Sequence, residues 1–275
     1  MTQQGIEMIF SLFQKVATNL KGNGLWLLVV VLGFAGCGPK ATGGSREEEL
    51  RYLQAAVDAS LLEYAHLEVP SKENVLLLDE GGKPYLGFHV FPGQPLKNNG
   101  VRAELSVNFP YRPPAVVRYE WRLRLPKDFQ ADEPRNRWWV VAQWHDQPDK
   151  TKGEQWEGFP SRSPPILLGY GRKENRDYLG FNYGSPKQRP IALIEIHRGV
   201  WHKFCVVIRW SQGEDGSATV FLDDAEKPVA EAHGPNMHNA YQHYFKVGMY
   251  RHREILSDNW LHIGDVRIRA VEAAK

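Results

Sequence analysis

From Asn74 to the C-terminus, the sequence is a succession of short β-branched and aromatic runs, each bounded by Gly, Pro, Asn or Asp. Apolar and polar residues alternate within most runs, which is typical of strands with one buried face. The predicted strands are 74–79, 84–90, 101–108, 115–125, 137–145, 164–170, 177–183, 190–197, 203–210, 217–223, 228–232, 244–250 and 260–269. Many short strands without intervening helices predict an all-β domain, a two-sheet sandwich or jelly roll, over residues 70–275. The 42% hydrophobic and 12% aromatic content supplies its core, and the lack of a fixed-period repeat counts against a propeller or solenoid.

The N-terminal region has the features of an export signal. Leu25–Phe34 is an apolar run preceded by Lys21, and it is shorter than the roughly 20 residues that a membrane-spanning helix needs. Small residues then lead into Cys37, an arrangement that resembles the lipobox of bacterial lipoproteins. We therefore predict a lipoprotein signal peptide over 1–36, lipid attachment at Cys37, and an exported protein anchored to a bacterial membrane, on the periplasmic or outer-membrane face. A plain signal peptide followed by a chance cysteine is the alternative.

Residues 37–69 are predicted to form a tether and one amphipathic helix. Ser45 and Glu48 have the spacing of a capping box. Apolar residues then recur at three- and four-residue spacing, which predicts a helix over 46–67 that ends before Pro70. This helix either packs on the domain or acts as a spacer from the membrane.

Charge and cysteine content exclude several classes of function. The formal net charge is +2, and residues 1–36 hold two Lys and one Glu, so the rest of the chain carries +1. This charge is too small for a general nucleic-acid binder. Beyond Cys37 the only cysteine is Cys205, which lies in an apolar stretch and is expected to be a buried small hydrophobe. The sequence therefore predicts neither a disulfide framework nor a Cys/His metal site.

Four predicted strands have polar faces that include chemically versatile side chains. In 101–108 the polar face is Arg102, Glu104, Ser106 and Asn108, and in 116–124 it is Arg118, Glu120, Arg122 and Arg124. In 138–145, Gln143 and His145 oppose Trp138, Val140, Ala142 and Trp144. In 244–250, Tyr244, Lys246, Gly248 and Tyr250 oppose Phe245, Val247 and Met249.

Polar faces of antiparallel sheets commonly meet water, and this accounts well for the Arg/Glu alternation of 116–124. Two other polar faces, one with Gln143 and His145 and one with Lys246 and Tyr250, are less typical of a surface that only contacts water. They combine an amide, an imidazole, a cation and a phenol, and Gly248 leaves room for a ligand to approach the backbone. We expect these polar sets to meet in one groove.

Three blocks of sequence resemble, in the same order, those of jelly-roll alginate lyases. The blocks are Arg102-Ala103-Glu104-Leu105, Gln143-Trp144-His145 and Tyr244-Phe245-Lys246-Val247-Gly248-Met249-Tyr250. The segment from Gly199 to Asp223 is more similar to the glucuronan lyase and heparin lyase I relatives on the same scaffold. Ser106 stands where alginate lyases usually have a second Arg, which counts against alginate as the substrate. The resemblance covers roughly residues 74–269 and implies a concanavalin-like β-jelly roll.

The resemblance also implies a reaction, β-elimination at a uronic-acid glycosidic bond. A base removes the proton next to the carboxylate, an acid protonates the leaving oxygen, and the carboxylate must be neutralised. By resemblance, Arg102 and Gln143 hold the carboxylate, while His145 acts either as the base or as a neutralising charge. Tyr250 is the acid and, in a syn elimination, the base as well. Further substrate-binding candidates are Lys246, Glu104 and Arg118.

The expected partner is an acidic polysaccharide, and the protein is expected to act as a monomer that does not bind nucleic acid. No cofactor is required by this chemistry, and no metal ligands are predicted. Some relatives bind calcium, so a structural calcium ion is compatible with the family, although the sequence has no loop dense in Asp. A non-catalytic, lectin-like carbohydrate-binding module is the alternative function. A retaining glycoside hydrolase is disfavoured, because it needs two facing carboxylates and Glu195 is isolated.

Overall fold

The computed structural model describes residues 46–184 and 190–271. The predicted signal peptide 1–36, the lipid attachment site Cys37 and the tether before residue 46 lie outside the described residues. Within the described ranges, none of the helices has the length and apolar character needed to cross a membrane.

One α-helix and fourteen strands make up most of the described chain. They are α1 Arg46–Ala56, β1 Ala65–Glu68, β2 Val75–Glu80, β3 Lys83–Val90, β4 Val101–Val107, β5 Ala115–Arg124, β6 Trp139–His145, β7 Ile166–Lys173, β8 Arg176–Tyr183, β9 Ala192–Ile196, β10 His202–Trp210, β11 Ser217–Leu222, β12 Ala230–His233, β13 Tyr244–Arg251 and β14 Asn259–Val271. Short 3₁₀ turns occur at Ala59–Leu61, Lys72–Asn74 and Lys150–Lys152.

The strands form two antiparallel sheets of seven strands each. The order in the first, here called the groove sheet, is β1-β4-β13-β6-β7-β8-β9, and the order in the second sheet is β12-β11-β10-β5-β14-β3-β2. Successive strands often change sheet, as in a jelly roll. The predicted all-β, two-sheet jelly-roll sandwich is therefore confirmed.

The core lies between the two sheets and is rich in aromatic rings. Phe245 of β13 packs on Trp121 of β5 with ring centroids 5.3 Å apart, and Trp121 stacks on Phe204 of β10 at 5.4 Å. Phe245, Val247 and Met249 are all buried, as the alternation of β13 predicts. Full burial of each such side chain stabilises the fold by roughly 1.5–3 kcal/mol.

The helix predicted over 46–67 is shorter than expected. It ends at Ala56, because Asp58 caps a separate 3₁₀ turn by accepting a hydrogen bond from Ser60 N at 3.0 Å. The apolar spacing nevertheless continues, since both Leu53 and Leu61 are fully buried in the core. The segment packs on the sandwich and is not a spacer.

Strand β1 also corrects the predicted boundary at residue 70. Its residues pair with β4, so that Leu67 lies opposite Leu105 and Glu68 opposite Glu104. Residues 65–67 were predicted as the end of a helix, yet residues 65–68 form an edge strand of the groove sheet. The folded domain therefore begins before residue 70.

A β-bulge in β6 changes which residues face outward. The pairing of β6 with β7 slips by one residue between Val140 and Ala142, and an extra residue in a strand reverses the alternation beyond it. Trp139 and Val141 are consequently buried, whereas Trp138 is 47% exposed and lines the groove with Val140. The prediction that Trp138 and Val140 share the face of Trp144 is wrong for this reason.

Candidate active site

The outward face of the groove sheet carries an open cleft of about 1680 Å³. Strand β13 runs along its floor between β4 and β6. Lys246 lies opposite Ser106 on one side and Gln143 on the other, and Tyr250 lies opposite Arg102. The predicted polar faces of these three strands do meet in one groove.

A network of buried charges lies under the centre of this groove. Lys246 Nζ donates to Glu68 at 2.8 Å, and Arg102 is 3.4 Å from the same carboxylate. Arg102 also lies 3.2 Å from Glu104, whose other oxygen accepts a 2.6 Å hydrogen bond from Gln143 Nε2. The two cations are thus held in place by two carboxylates before any ligand arrives.

The two carboxylates of the network have opposite shifts in pKa. Burial alone raises the pKa of Glu68, but the neighbours His66, Lys246 and Arg102 outweigh it and lower the pKa to about 2. Burial raises the pKa of Glu104 above its ordinary value, despite the nearby cations. Glu104 is only 1% exposed. It was predicted to bind substrate, but it lies beneath the groove surface and orients Arg102 and Gln143 instead.

Tyr250 stands at one end of the groove. Its ring lies on the guanidinium of Arg102, 4.0 Å from the ring centroid, and meets Trp138 edge-on at 4.8 Å. A Cβ atom on Gly100 would overlap the Tyr250 ring, so this glycine makes space for the phenol. Within the described part of the chain, the hydroxyl of Tyr250 makes no hydrogen bond.

Gly248 has a different role from the predicted one. Its φ is +146°, and a Cβ atom there would overlap the carbonyl oxygen of Ala103 on β4. Glycine is needed at this position because two backbones approach closely, next to an irregularity in the pairing of β13 with β6. It does not line the groove, so the prediction that it makes room for a ligand is wrong.

His145 lies at the other end of the groove, away from Tyr250. It pairs with Tyr244, whose ring lies parallel to the imidazole at 5.9 Å. Tyr244 and Tyr250 are six positions apart on β13. Their Cα atoms are therefore separated by roughly 20 Å along the strand, at about 3.3 Å per residue. The structure therefore places Arg102 and Tyr250 at one end, Gln143 and Lys246 at the centre, and His145 at the opposite end.

Arg118 does not belong to the groove. It lies on β5, in the second sheet, and its side chain donates to Glu120 Oε1 at 3.0 Å on the same outward face. Alternation shows that a strand has a polar face but not which sheet contains the strand. The prediction that Arg118 binds substrate is wrong for this reason.

Several groove residues were missed from the sequence. Glu68 was placed between the predicted helix and the start of the predicted domain, and Trp138 was placed on the core face of its strand. Tyr244 was recognised only as a member of the polar face. In the loop that follows β6, Lys150 and Arg162 also line the groove.

Positive charge predominates along the groove walls. The lining residues include six Lys and Arg side chains but only one carboxylate, that of Glu68. The cations are Arg102, Lys150, Arg162, Arg172, Lys173 and Lys246. Among residues 46–184 and 190–271, no group of three or more His, Cys, Asp or Glu side chains is arranged to hold a metal ion.

Comparison with known proteins agrees with the fold. The model of a family described as "Polysaccharide lyase" matches residues 77–267. An endo-β-1,4-glucuronan lyase from the fungus Trichoderma reesei has a similar structure, with a TM-score of 0.50 and 16% identity over 70% of this chain and 85% of that chain. A family 7 alginate lyase solved in complex with substrate gives a TM-score of 0.50 and 10% identity over 72% of this chain and 83% of that chain. At such identities the structural matches show a shared fold. No curated protein matches the sequence.

Proposed function

Since the chain belongs to the polysaccharide lyase family, we propose that it cleaves a uronic-acid-containing polysaccharide by β-elimination. The observation that carries this proposal is the groove with six cationic side chains and one carboxylate. Such a groove favours a polymer with repeated negative charge. A neutral polysaccharide would gain nothing from these charges.

In the proposed reaction, Tyr250 acts in its phenolate form and removes the proton from the carbon next to the uronate carboxylate, which converts it to the phenol. The electron pair left behind forms a carbon–carbon double bond, and the bond to the glycosidic oxygen breaks. That oxygen takes up a proton, which Tyr250 can return in a syn elimination. The products are a new reducing end and a chain that begins with an unsaturated uronate.

The carboxylate must be neutralised while the negative charge develops. Arg102 lies against the Tyr250 ring at 4.0 Å, and it supplies a fixed positive charge where this charge appears. Gln143 has its amide held by Glu104, and Lys246 is held by Glu68. Because these side chains are fixed before the ligand binds, they need little reorganisation during the reaction.

Every proton and charge in this scheme is handled by a side chain, so the proposed reaction requires no cofactor and leaves only a structural role for calcium.

On the sequence alone, we further propose that the protein is an exported monomer attached to a bacterial membrane through Cys37. Fractionation of cells that produce a Cys37→Ser variant tests the anchor. Release from the membrane fraction is expected, and unchanged membrane association would contradict it.

Absorbance near 235 nm, where unsaturated uronate ends absorb, tests the reaction. The panel is glucuronan, alginate and heparin, with a neutral glucan as the control polymer. We expect absorbance to rise with at least one acidic polymer and not with the glucan. Binding of an acidic polymer without any rise on the whole panel would refute β-elimination on a uronate, and would favour the lectin-like alternative.

A further inference from the structure

Asp146 is a fully buried carboxylate that contacts His145, a residue of the groove lining. Its side chain is 0% exposed and lies directly after β6, at the start of the loop that covers one end of the groove. One carboxylate oxygen is 2.8 Å from His145 Nδ1, and the other accepts hydrogen bonds from the Arg162 guanidinium, at 2.7 Å from Nε. Burial alone raises the pKa of Asp146, but His145 and Arg162 outweigh it and lower the pKa to about 2. The group is therefore a carboxylate at neutral pH.

Both ring nitrogens of His145 face hydrogen-bond acceptors. Nδ1 lies 2.9 Å from the carbonyl oxygen of Asp146, in addition to its contact with the carboxylate. Nε2 lies 2.9 Å from the carbonyl oxygen of Arg162. Carbonyl and carboxylate oxygens cannot donate, so each ring nitrogen has to carry a proton in order to make these bonds.

We propose that Asp146 and the Arg162 carbonyl hold His145 as an imidazolium, so that His145 supplies positive charge to the groove and does not abstract the substrate proton. Asp146 is then a positioning residue that acts through His145. This inference chooses between the two roles that the sequence leaves open for His145. This inference rests on the proposed function in one respect only, the role of the His145 charge in binding an anionic polymer.

The other groups around His145 are compatible with this charge. The Tyr244 ring stacks on it, and burial raises the pKa of Tyr244, so this neighbour is a neutral phenol. Burial lowers the pKa of His243 to about 4, which leaves that imidazole uncharged at neutral pH. His145 and Arg162 therefore share a single carboxylate, and the cluster has one positive charge left for an anionic group of the polymer.

Histidine-selective ¹⁵N labelling tests the charge of His145 in the substrate-free protein. The His145 signals are identified by their loss in a His145→Gln variant, and buried His243 serves as the internal comparison. At pH 7.5 we expect both His145 nitrogens to be protonated, whereas His243, whose pKa burial lowers to about 4, shows one unprotonated nitrogen. An unprotonated nitrogen in His145 would overturn the proposal. This measurement needs no activity, so it stands apart from the test of the lyase reaction.

The Asp146→Asn variant tests the positioning role. We expect it to retain the near-ultraviolet circular dichroism of the fold, while the pH at which His145 loses its second proton falls, because both carbonyl acceptors remain but the carboxylate charge is gone. An unchanged titration midpoint of His145 in the folded variant would overturn the role of Asp146. If this variant does not fold, Arg162→Gln leaves the carbonyl acceptor and the carboxylate in place. His145 is expected to remain doubly protonated in Arg162→Gln, and loss of a proton there would contradict the proposal.

Activity provides a second comparison, between His145→Arg and His145→Gln. Arginine keeps the positive charge but cannot act as a base, whereas glutamine has neither property. We expect His145→Arg to keep at least ten times the kcat/KM of His145→Gln on the preferred polymer. Equal, near-complete loss in both variants, combined with an unprotonated ring nitrogen in the wild type, would identify His145 as the base.

Discussion

At the scale of single residues, the groove combines one phenol with a free hydroxyl and a set of tightly paired charges. Tyr250 has its ring fixed by Arg102 and Trp138 but keeps its hydroxyl available. Lys246 and Glu68, in contrast, are paired at 2.8 Å and nearly buried. These two kinds of residue lead to different predictions, one on catalysis and one on stability.

Replacing Tyr250 with Phe removes the proposed proton carrier and leaves the ring contacts intact. General acid–base groups typically contribute 10²- to 10⁴-fold to rate, so we expect kcat to fall by at least about 100-fold. Binding of the polymer should change little. The control is Tyr178→Phe, which alters another tyrosine that lines the groove. Steady-state rates near 235 nm measure both variants, and an active Tyr250→Phe enzyme would rule out this role.

Replacing Glu68 with Gln leaves Lys246 and Arg102 without their shared counter-charge. Loss of one partner from a buried pair costs about 3 kcal/mol of unfolding free energy at neutral pH. The pKa of Glu68 is about 2 in the folded protein and 4.5 as a free carboxyl. Its contribution is therefore full above about pH 4.5 and is lost as the pH falls towards 2.

Urea denaturation from pH 7 to pH 2 measures this effect. The wild type should be more stable than Glu68→Gln at pH 7, and the two should converge as the pH approaches 2. The exposed Glu231→Gln is the control and should follow the wild type. A constant difference down to pH 2 would show that the charge of Glu68 is not responsible.

At the scale of strands, alternation predicts the two faces of an element but not its partners. It correctly separated Phe245 from Lys246 on β13 and Leu105 from Glu104 on β4. It failed at β6, because the bulge at Val141 has no strong sequence signal. It also could not place His145 relative to Tyr250, since register depends on pairing between distant strands. Arg118 was misplaced because a polar face does not reveal which sheet contains its strand.

The approach of β4 to Tyr250 leads to a prediction at this scale. A methyl group at Gly100 would overlap the Tyr250 ring, so Gly100→Ala has to displace the phenol from Arg102. We expect kcat to fall by at least about 10-fold, with the fold retained. Gly171→Ala is the matched control, because it lies in the same groove and a Cβ atom there meets nothing within 4 Å. Equal kcat values for the two variants would contradict this account of Gly100.

At the scale of the whole molecule, one sheet carries the chemistry and the other completes the core. The sequence alone predicted the sandwich and three of the strands that line the groove, β4, β6 and β13. It did not predict the contribution of the segment before residue 70. The apolar residues of that segment have helical spacing because Leu53 and Leu61 are both buried against the sandwich. The helix itself nevertheless ends at Ala56.

The predominance of cations in the groove predicts sensitivity to salt. The screening length falls from about 10 Å at 0.1 M to about 3 Å at 1 M ionic strength. We therefore expect KM for the acidic polymer to rise with NaCl while kcat changes little. Lys173→Gln should reduce this salt dependence, whereas Lys227→Gln, outside the groove lining, should not. A KM independent of salt would argue against electrostatic binding of the polymer.

Strand β1 has a practical consequence for anyone who trims this protein. A fragment that starts at residue 70, the predicted start of the all-β domain, lacks residues 65–68 and with them Glu68. It would expose the edge of β4, an unprotected strand of the kind that drives aggregation, and it would leave Lys246 and Arg102 without their counter-charge. Size-exclusion chromatography should show aggregates for this fragment and a single species for one that starts at residue 46.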